Sequence, residues 1–258
     1  MSGTALILAA HGSGDDSEGN ARLRNFADQI AHRRLFDEAA VAFHRGEPTF
    51  ATVLDQLSAD EVIVVPVMTS DGYYSDLVLP RELKKNHRYS VVRLHQTEPL
   101  GMHPGVTALV SLRVRSLIHD HHLCAEEVCV ALVGHGTRRH ERSRLATIKL
   151  AEALGKNEHC AEVLYAFLDE DPGVETILSR TTRPSIIVIP FLISGGSHST
   201  IDIPTRLGLP PPALHGCVGD RFVVCDAAIG THPEIVDVII DLATADESNT
   251  ISVAEIAS

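Results

Sequence analysis

The chain has 258 residues, 44% hydrophobic and 22% charged, a make-up that buries a sizeable core in one large domain or two ordinary ones. Its formal charge of −12, from 22 Lys and Arg against 34 Asp and Glu, excludes a general nucleic-acid binder, which needs a basic face to displace counterions. The five cysteines contain no C-x-x-C pair, so they read as reduced thiols of a cytoplasmic protein rather than a disulfide framework or a zinc knuckle.

The first element, "ALILAA", is a continuous apolar run ending at His11-Gly12-Ser13. No basic region precedes it, so a secretory leader is not expected. "NARLRNFADQIAHRR" has helical spacing, "VAFHRGEP" and "VIVVPVM" read as a strand end and a strand, and a loop with Tyr73-Tyr74 follows. "YSVVRLH" gives a further strand and "HPGVTALV" opens a helix. The polar stretch "HDHHLCAEE" then separates this half from a second one. That half begins with "VCVALVG" and His135-Gly136-Thr137, and continues through the helical "RSRLATIKLAEAL" to "YAFLDEDP". The strand "SIIVIPFLI" leads into Gly195-Gly196-Ser197-His198, and "RFVVCDA" and "HPEIVDVI" close the half. No apolar stretch approaches the ~18–20 residues that span a bilayer, so no membrane partner is expected.

The halves are copies. One ungapped register sets His11 against His135, Phe43 against Phe167, Pro48 against Pro172, Pro66 against Pro190, Gly72 against Gly196 and Pro80 against Pro204. "HPGVTALV" and "HPEIVDVI" match in a register five residues longer, the excess lying around "GLPPPALHGC". Strands without polar alternation, separated by helices, imply an α/β fold of two tandem, duplicated, doubly wound parallel-sheet domains. The expected bounds are 1–120 and 125–245, with 246–258 a frayed tail.

Ligands of such sheets bind beyond the carboxyl ends of the strands. Both His-Gly motifs fall there, with Ser13 or Thr137 in position to cap the following helix. A lone His-Gly is an ordinary strand-to-helix turn, but the repetition at equivalent places favours a ligand-facing role. His198 lies on the same sheet edge as His135, and imidazole suits first-row divalent metals, so this pair is the candidate metal site. Of the three acids Asp169, Glu170 and Asp171, which also oppose a helix dipole, Asp169 is the chosen site carboxylate. The linker residues His119, His121, His122 and Cys124 have a spacing that fixes no geometry.

The His-Gly-Ser/Thr motif, the "AF…P" segment, the strand ending in proline and the loop "GGSHSTIDIP" together resemble the sirohydrochlorin chelatases, in their long, duplicated form, over residues 4 to 242. The resemblance implies insertion of Co²⁺ or Fe²⁺ into sirohydrochlorin, in cobalamin or siroheme biosynthesis, within a cleft between the halves. It gives His135 and His198 the metal and the proton transfers; Asp169, chosen from its strand end, is the candidate catalytic carboxylate beside them. It puts His11, Tyr73 and Tyr74 on the opposite wall of that cleft; Ser13, Thr137, Arg138, Gly195, Gly196 and Ser197, in the strand-end loops, are the further candidate contacts of the tetrapyrrole. Many long-form members keep their histidine pair in the N-terminal half; here Tyr74 occupies that loop, and only the C-terminal pair is complete.

Metal insertion exchanges two pyrrolic protons for a dication, and imidazole serves as ligand and as base near neutral pH. No Walker A or G-x-G-x-x-G sequence is present, so neither ATP nor an organic cofactor is expected. The eight carboxylates of sirohydrochlorin require local cations against the acidic whole, with Arg138, Arg139, Arg142, Arg206 and Arg81 as candidates. The expected partners are thus the tetrapyrrole and a divalent ion, bound by a monomer or homodimer. The alternative is a metal or tetrapyrrole delivery protein that performs no insertion. Histidine phosphatases also carry His-Gly but need Arg before it, where this chain has Ala10 and Gly134.

Overall fold

The apolar runs become parallel strands in two sheets of the same plan. A computed structural model describes residues 3–13, 18–137, 141–156, 160–245 and 251–252. The first half contains β1 (Thr4–Ala10), α1 (Glu18–Arg33), β2 (Glu38–Phe43), β3 (Glu61–Pro66), α2 (Leu79–Leu83), β4 (Arg93–Gln96) and α3 (Pro104–Asp120). The second contains β5 (Val128–Gly134), α4 (Glu141–Gly155), β6 (Glu162–Phe167), α5 (Ile177–Arg180), β7 (Ser185–Pro190), α6 (Ile203–Arg206), β8 (His215–Val218), β9 (Arg221–Cys225) and α7 (Ile235–Thr244). A two-residue strand, β10 (Ile251–Ser252), follows.

The sheet orders are β2-β1-β3-β4-β10 and β6-β5-β7-β9-β8, with the first four strands of each parallel. All seven residues of β5 are buried, as expected for strands covered on both faces. The helices bury one stripe each: on α1 it is Leu23, Phe26, Ala27 and Ile30, the spacing of a 3.6-residue period. In both sheets the strand order reverses between the first and third strands of the half. That places the ligand side at the carboxyl ends of β1 and β3, and of β5 and β7.

The compact units are cut differently from the two sequence repeats. One comprises Met1–His103 with Val236–Ser258, the other Pro104–Ile235. Helix α3 therefore belongs with the second sheet, packing on α4 and β7. Helix α7 belongs with the first, where Asp237 pairs with Arg33 of α1. The sheets are copies, so the apolar stripe of either helix suits either sheet and the sequence pattern does not say which it covers.

The fifth strand of each sheet has its own origin. The insertion around "GLPPPALHGC" builds β8, antiparallel to β9. The tail, expected to fray, contributes β10, which pairs antiparallel with β4 as Ile251 opposite Gln96. An open edge strand offers unpaired N–H and C=O groups, and both additions satisfy them.

Candidate functional site

His135 leaves the end of β5, and its carbonyl accepts hydrogen bonds from the amides of Leu168 and Asp169 at 3.1 and 3.0 Å. The loop after β6 is thereby held against it. Gly136 permits the approach: its φ is 71°, and a β-carbon there would stand 2.7 Å from Glu170 Cγ and 2.9 Å from Phe167 Cβ. Asp169 Oδ2 then lies 3.2 Å from His135 Nδ1, which also faces the Gly136 carbonyl at 3.2 Å.

The loop after β7 closes in a single π-helical turn, His198–Asp202. The turn stacks side chains four residues apart, and His198 Nδ1 lies 2.7 Å from Asp202 Oδ2. The rings of His135 and His198 meet edge to face, with centroids 5.5 Å apart and an interplanar angle of 79°. Two imidazoles sharing one ion through ~2.0–2.1 Å bonds have ring centres roughly 4.5–6 Å apart, so a single dication fits between these two.

Nδ1 of His198 meets the Asp202 carboxylate and Nδ1 of His135 the Gly136 carbonyl, with Asp169 at ion-pair distance; these acceptors hold the proton on Nδ1 and leave the Nε2 lone pair to bind. The imidazole side chains are 50% and 52% exposed, open to an arriving ion. Among the described residues, no group of three or more His, Cys, Asp or Glu side chains forms a metal cage. Asp169 and Asp202 back the imidazoles instead. A two-ligand site with open positions releases its ion; a closed four-ligand site retains it.

The first unit carries a different set at the same strand ends. The His11 and Tyr74 rings meet edge-on at 4.6 Å, and Tyr73, 46% exposed, lies 5.3 Å from Tyr74. His44, from the end of β2, joins them at 5.4 Å from His11 and 5.2 Å from Tyr74. Burial, and then the neighbouring His11 ring, hold His44 below the ordinary imidazole value. This half is therefore not reduced to one histidine. What it lacks is the loop imidazole with its carboxylate, because Tyr74 and Val78 stand where the second copy has His198 and Asp202. His44 stands in "VAFHRGEP", the counterpart of "YAFLDEDP", but was not chosen as a site residue; Leu168 is opposite it in register.

A family model described as CbiX matches residues 5–117 and, a second time, residues 129–245. The chain belongs to the CbiX family. It is 30% identical over 268 aligned residues to a Halobacterium salinarum protein named a probable sirohydrochlorin cobaltochelatase, covering 93% of this chain and 90% of that one. Among solved structures it is similar to the sirohydrochlorin chelatase SirB of Bacillus subtilis subspecies spizizenii in complex with cobalt. There the TM-score is 0.70, with 19% identity and 96% of each chain covered. It is also similar to a multi-domain Deinococcus radiodurans protein with structural similarity to chelatases, at a TM-score of 0.76 and 24% identity. That comparison covers 97% of this chain and 57% of the longer one. At these identities the two structures establish the shared fold.

The remaining expected residues of this CbiX-family chain divide by unit. Ser13 is exposed after β1 in the first unit, and Thr137 is half-buried after β5 in the second. Arg138 and Arg139 lie outside the described residues. Gly195 and Gly196 lead into the His198 turn, where the Gly196 carbonyl accepts from the Ser199 amide and hydroxyl, both at 3.1 Å. Ser197 is exposed beside them. Arg206 donates to the Leu168 carbonyl at 2.7 Å, bracing the loop that carries Asp169.

Two further residues went unselected from sequence. Asp202 had its signal in the spacing of four from His198 within "HSTID". Arg144 had none: its guanidinium lies over the Phe167 ring at 5.1 Å and donates to the Asp171 carbonyl at 2.6 Å. The buried thiols Cys129 and Cys225 are pushed up to about 12 by burial, so they stay neutral and are poor competitors for the ion. No described helix is long and apolar enough to cross a membrane.

Proposed function

We propose that the chain inserts a divalent metal ion into sirohydrochlorin, with His135 and His198 as the groups that present the ion. The carrying observation is the facing imidazole pair with a carboxylate behind each Nδ1. The names of the Halobacterium and Bacillus relatives, the latter solved with cobalt, supply the substrate class.

The dication arrives on the two Nε2 atoms and passes to the four nitrogens of the macrocycle. As it leaves, each freed Nε2 accepts one of the two pyrrolic protons, so charge and protons balance: one dication in, two protons out. Asp169 and Asp202 stabilise the resulting imidazolium ions and fix the ring orientation beforehand. In this mechanism no nucleotide or organic cofactor takes part. His11, Tyr73 and Tyr74 of the first unit are proposed as stacking surfaces for the macrocycle, with Ser13, Thr137, Arg138, Gly195, Gly196 and Ser197 as polar contacts.

Co²⁺ is proposed as the preferred ion and Fe²⁺ as a slower one. That order follows the affinity of imidazole sites and the cobaltochelatase name of the 30% identical relative. The test is anaerobic addition of Co²⁺ or Fe²⁺ to metal-free sirohydrochlorin, followed by its visible spectrum. His135→Ala and His198→Ala each remove most of the acceleration, and His11→Ala removes less. A spectrum that the wild-type protein does not accelerate would leave only a delivery role. Full activity in both C-terminal variants, with loss in His11→Ala, would move the chemistry to the first unit.

A further inference from the structure

A buried ionic cluster stands outside the chemistry described above. Asp226, 6% exposed at the end of β9, receives both Nε and Nη2 of Arg113 from α3, at 3.0 and 3.1 Å. His232, 8% exposed, places Nε2 3.3 Å from the same carboxylate, an ion-pair distance without hydrogen-bond geometry, so Arg113 is the stronger partner. Burial raises the Asp226 carboxyl, but His232 and Arg113 outweigh it and keep it below the usual carboxylate range. Among the described residues, neither Asp226 nor His232 joins His135 and His198 in a group that could share one ion.

The turn between Asp226 and His232 leans on the histidine loop. The Gly230 amide donates to the Leu192 carbonyl at 3.0 Å, and a β-carbon at Gly230 would fall 2.4 Å from the Ile193 carbonyl oxygen. Thr231 is pinned by its hydroxyl, which donates to the Ala228 carbonyl at 2.7 Å. Its methyl group abuts Gly195, where a β-carbon would stand 3.0 Å from it. Residues 192–195 are the run from β7 into the His198 turn, so whatever fixes residues 228–232 also fixes where that turn begins.

The duplication supplies an internal control. In the first unit the same backbone contacts recur: Gly101 donates to the Met68 carbonyl at 2.9 Å and lies equally close to Thr69, and His103 stands in the place of His232. Thr97, however, occupies the place of Asp226, its amide on Val64 as that of Asp226 is on Val188. Leu242 of α7 stands where α3 has Arg113. The ionic clamp is thus present in the copy with the loop histidine and absent from the copy with Tyr74.

We propose that Asp226, clamped by Arg113 and His232, is a positioning residue that sets the His198 loop for metal handling through the turn 228–232. This rests on the reading of His198 as a metal-presenting group. An uncommitted structural ion pair would hold α3 on its sheet and nothing more. A positioning role is expressed in the metal step.

The experiment measures initial rates of Co²⁺ insertion, with Co²⁺ and sirohydrochlorin varied separately, in Asp226→Asn, Thr231→Gly, their double variant and His198→Ala. The expected result is an apparent KM for Co²⁺ raised roughly fivefold in each of the first two, with the KM for sirohydrochlorin unchanged. That is a smaller effect than for a group bonded directly to a ligand. The double variant is no worse than the poorer single one, because both act through one contact. Thr231→Gly leaves the ionic cluster in place, so it tests the same contact even if Asp226→Asn does not fold. A wild-type Co²⁺ KM in folded Asp226→Asn or in Thr231→Gly overturns the proposal, and so do effects that multiply in the double variant. Retained activity in His198→Ala defeats the underlying reading instead, and is seen separately.

Discussion

Asp202→Ala removes the carboxylate behind His198 and leaves every residue assigned to touch the ion unchanged. The 2.7 Å contact between His198 Nδ1 and Asp202 Oδ2 fixes the ring by a charge-assisted hydrogen bond. Outer partners of metal-binding histidines typically account for 10–100-fold in metal affinity or activity. Here the Asp202 side chain is 40% exposed, so water screens the pair and the lower end applies. The expected loss is about tenfold in kcat/KM for Co²⁺, or ~1.4 kcal/mol of transition-state stabilisation. Asp202→Asn keeps an acceptor oxygen while losing the charge, and should lose only about threefold. Initial rates from the visible spectrum of the metallated product, over a range of Co²⁺ at saturating sirohydrochlorin, give both numbers. An Asp202→Ala enzyme equal to wild type would mean that the His198–Asp202 contact has no part in metal handling. One as inactive as His198→Ala would make Asp202 a ligand in its own right.

Gly136→Ala forces a side chain into the left-handed region at 2.7 Å from Glu170 Cγ; it should cost about 1–2 kcal/mol for the backbone alone and displace Asp169 from His135, read as a lower unfolding midpoint together with a raised Co²⁺ KM. His44, held low by burial and by His11, stabilises the first unit fully above the free imidazole value of ~6.5 and loses that contribution as pH falls towards its lower folded value. An NMR titration should place its midpoint below that of an exposed histidine of the same chain, and a midpoint at or above it contradicts the packing described. Asp226 is depressed likewise, so its contribution is complete above the unfolded carboxyl value of ~3.9 and is lost as pH falls through the lower folded one. Urea unfolding of Asp226→Asn should show about 3 kcal/mol less stability at pH 7 and a shallower acid-side decline than wild type, whereas parallel curves would deny the ion pair its role.

The repeat made most of this architecture legible. Apolar runs such as "VCVALVG" have no other home than a strand covered on both faces, and the His-Gly ends fall on the ligand edge by the rule for parallel sheets. That His135 and His198 lie on one sheet edge was legible because both follow strand ends that the repeat marks out. Asp202 was visible in its spacing, yet its side chain meets His198 only because the turn is helical there, and "GGSHSTIDIP" has no strong helical pattern. His44 was visible in the segment that matches "YAFLDEDP" but gave no reason to choose it, since the two copies place their third group one residue apart, on His44 in one and on Asp169 in the other. The exchange of α3 and α7 leaves no local trace, because an amphipathic stripe records that a sheet is covered but not which copy of it. The pair Arg113–Asp226, 113 residues apart in sequence, follows from that exchange and is equally silent.

The proposed chemistry requires one dication to be held by His135 and His198 together, and X-ray absorption of the anaerobic protein with one equivalent of Co²⁺ measures this. Scattering from two imidazoles at about 2.0–2.1 Å is expected, falling to one in His135→Ala and in His198→Ala. An unchanged imidazole signal in both variants would contradict it.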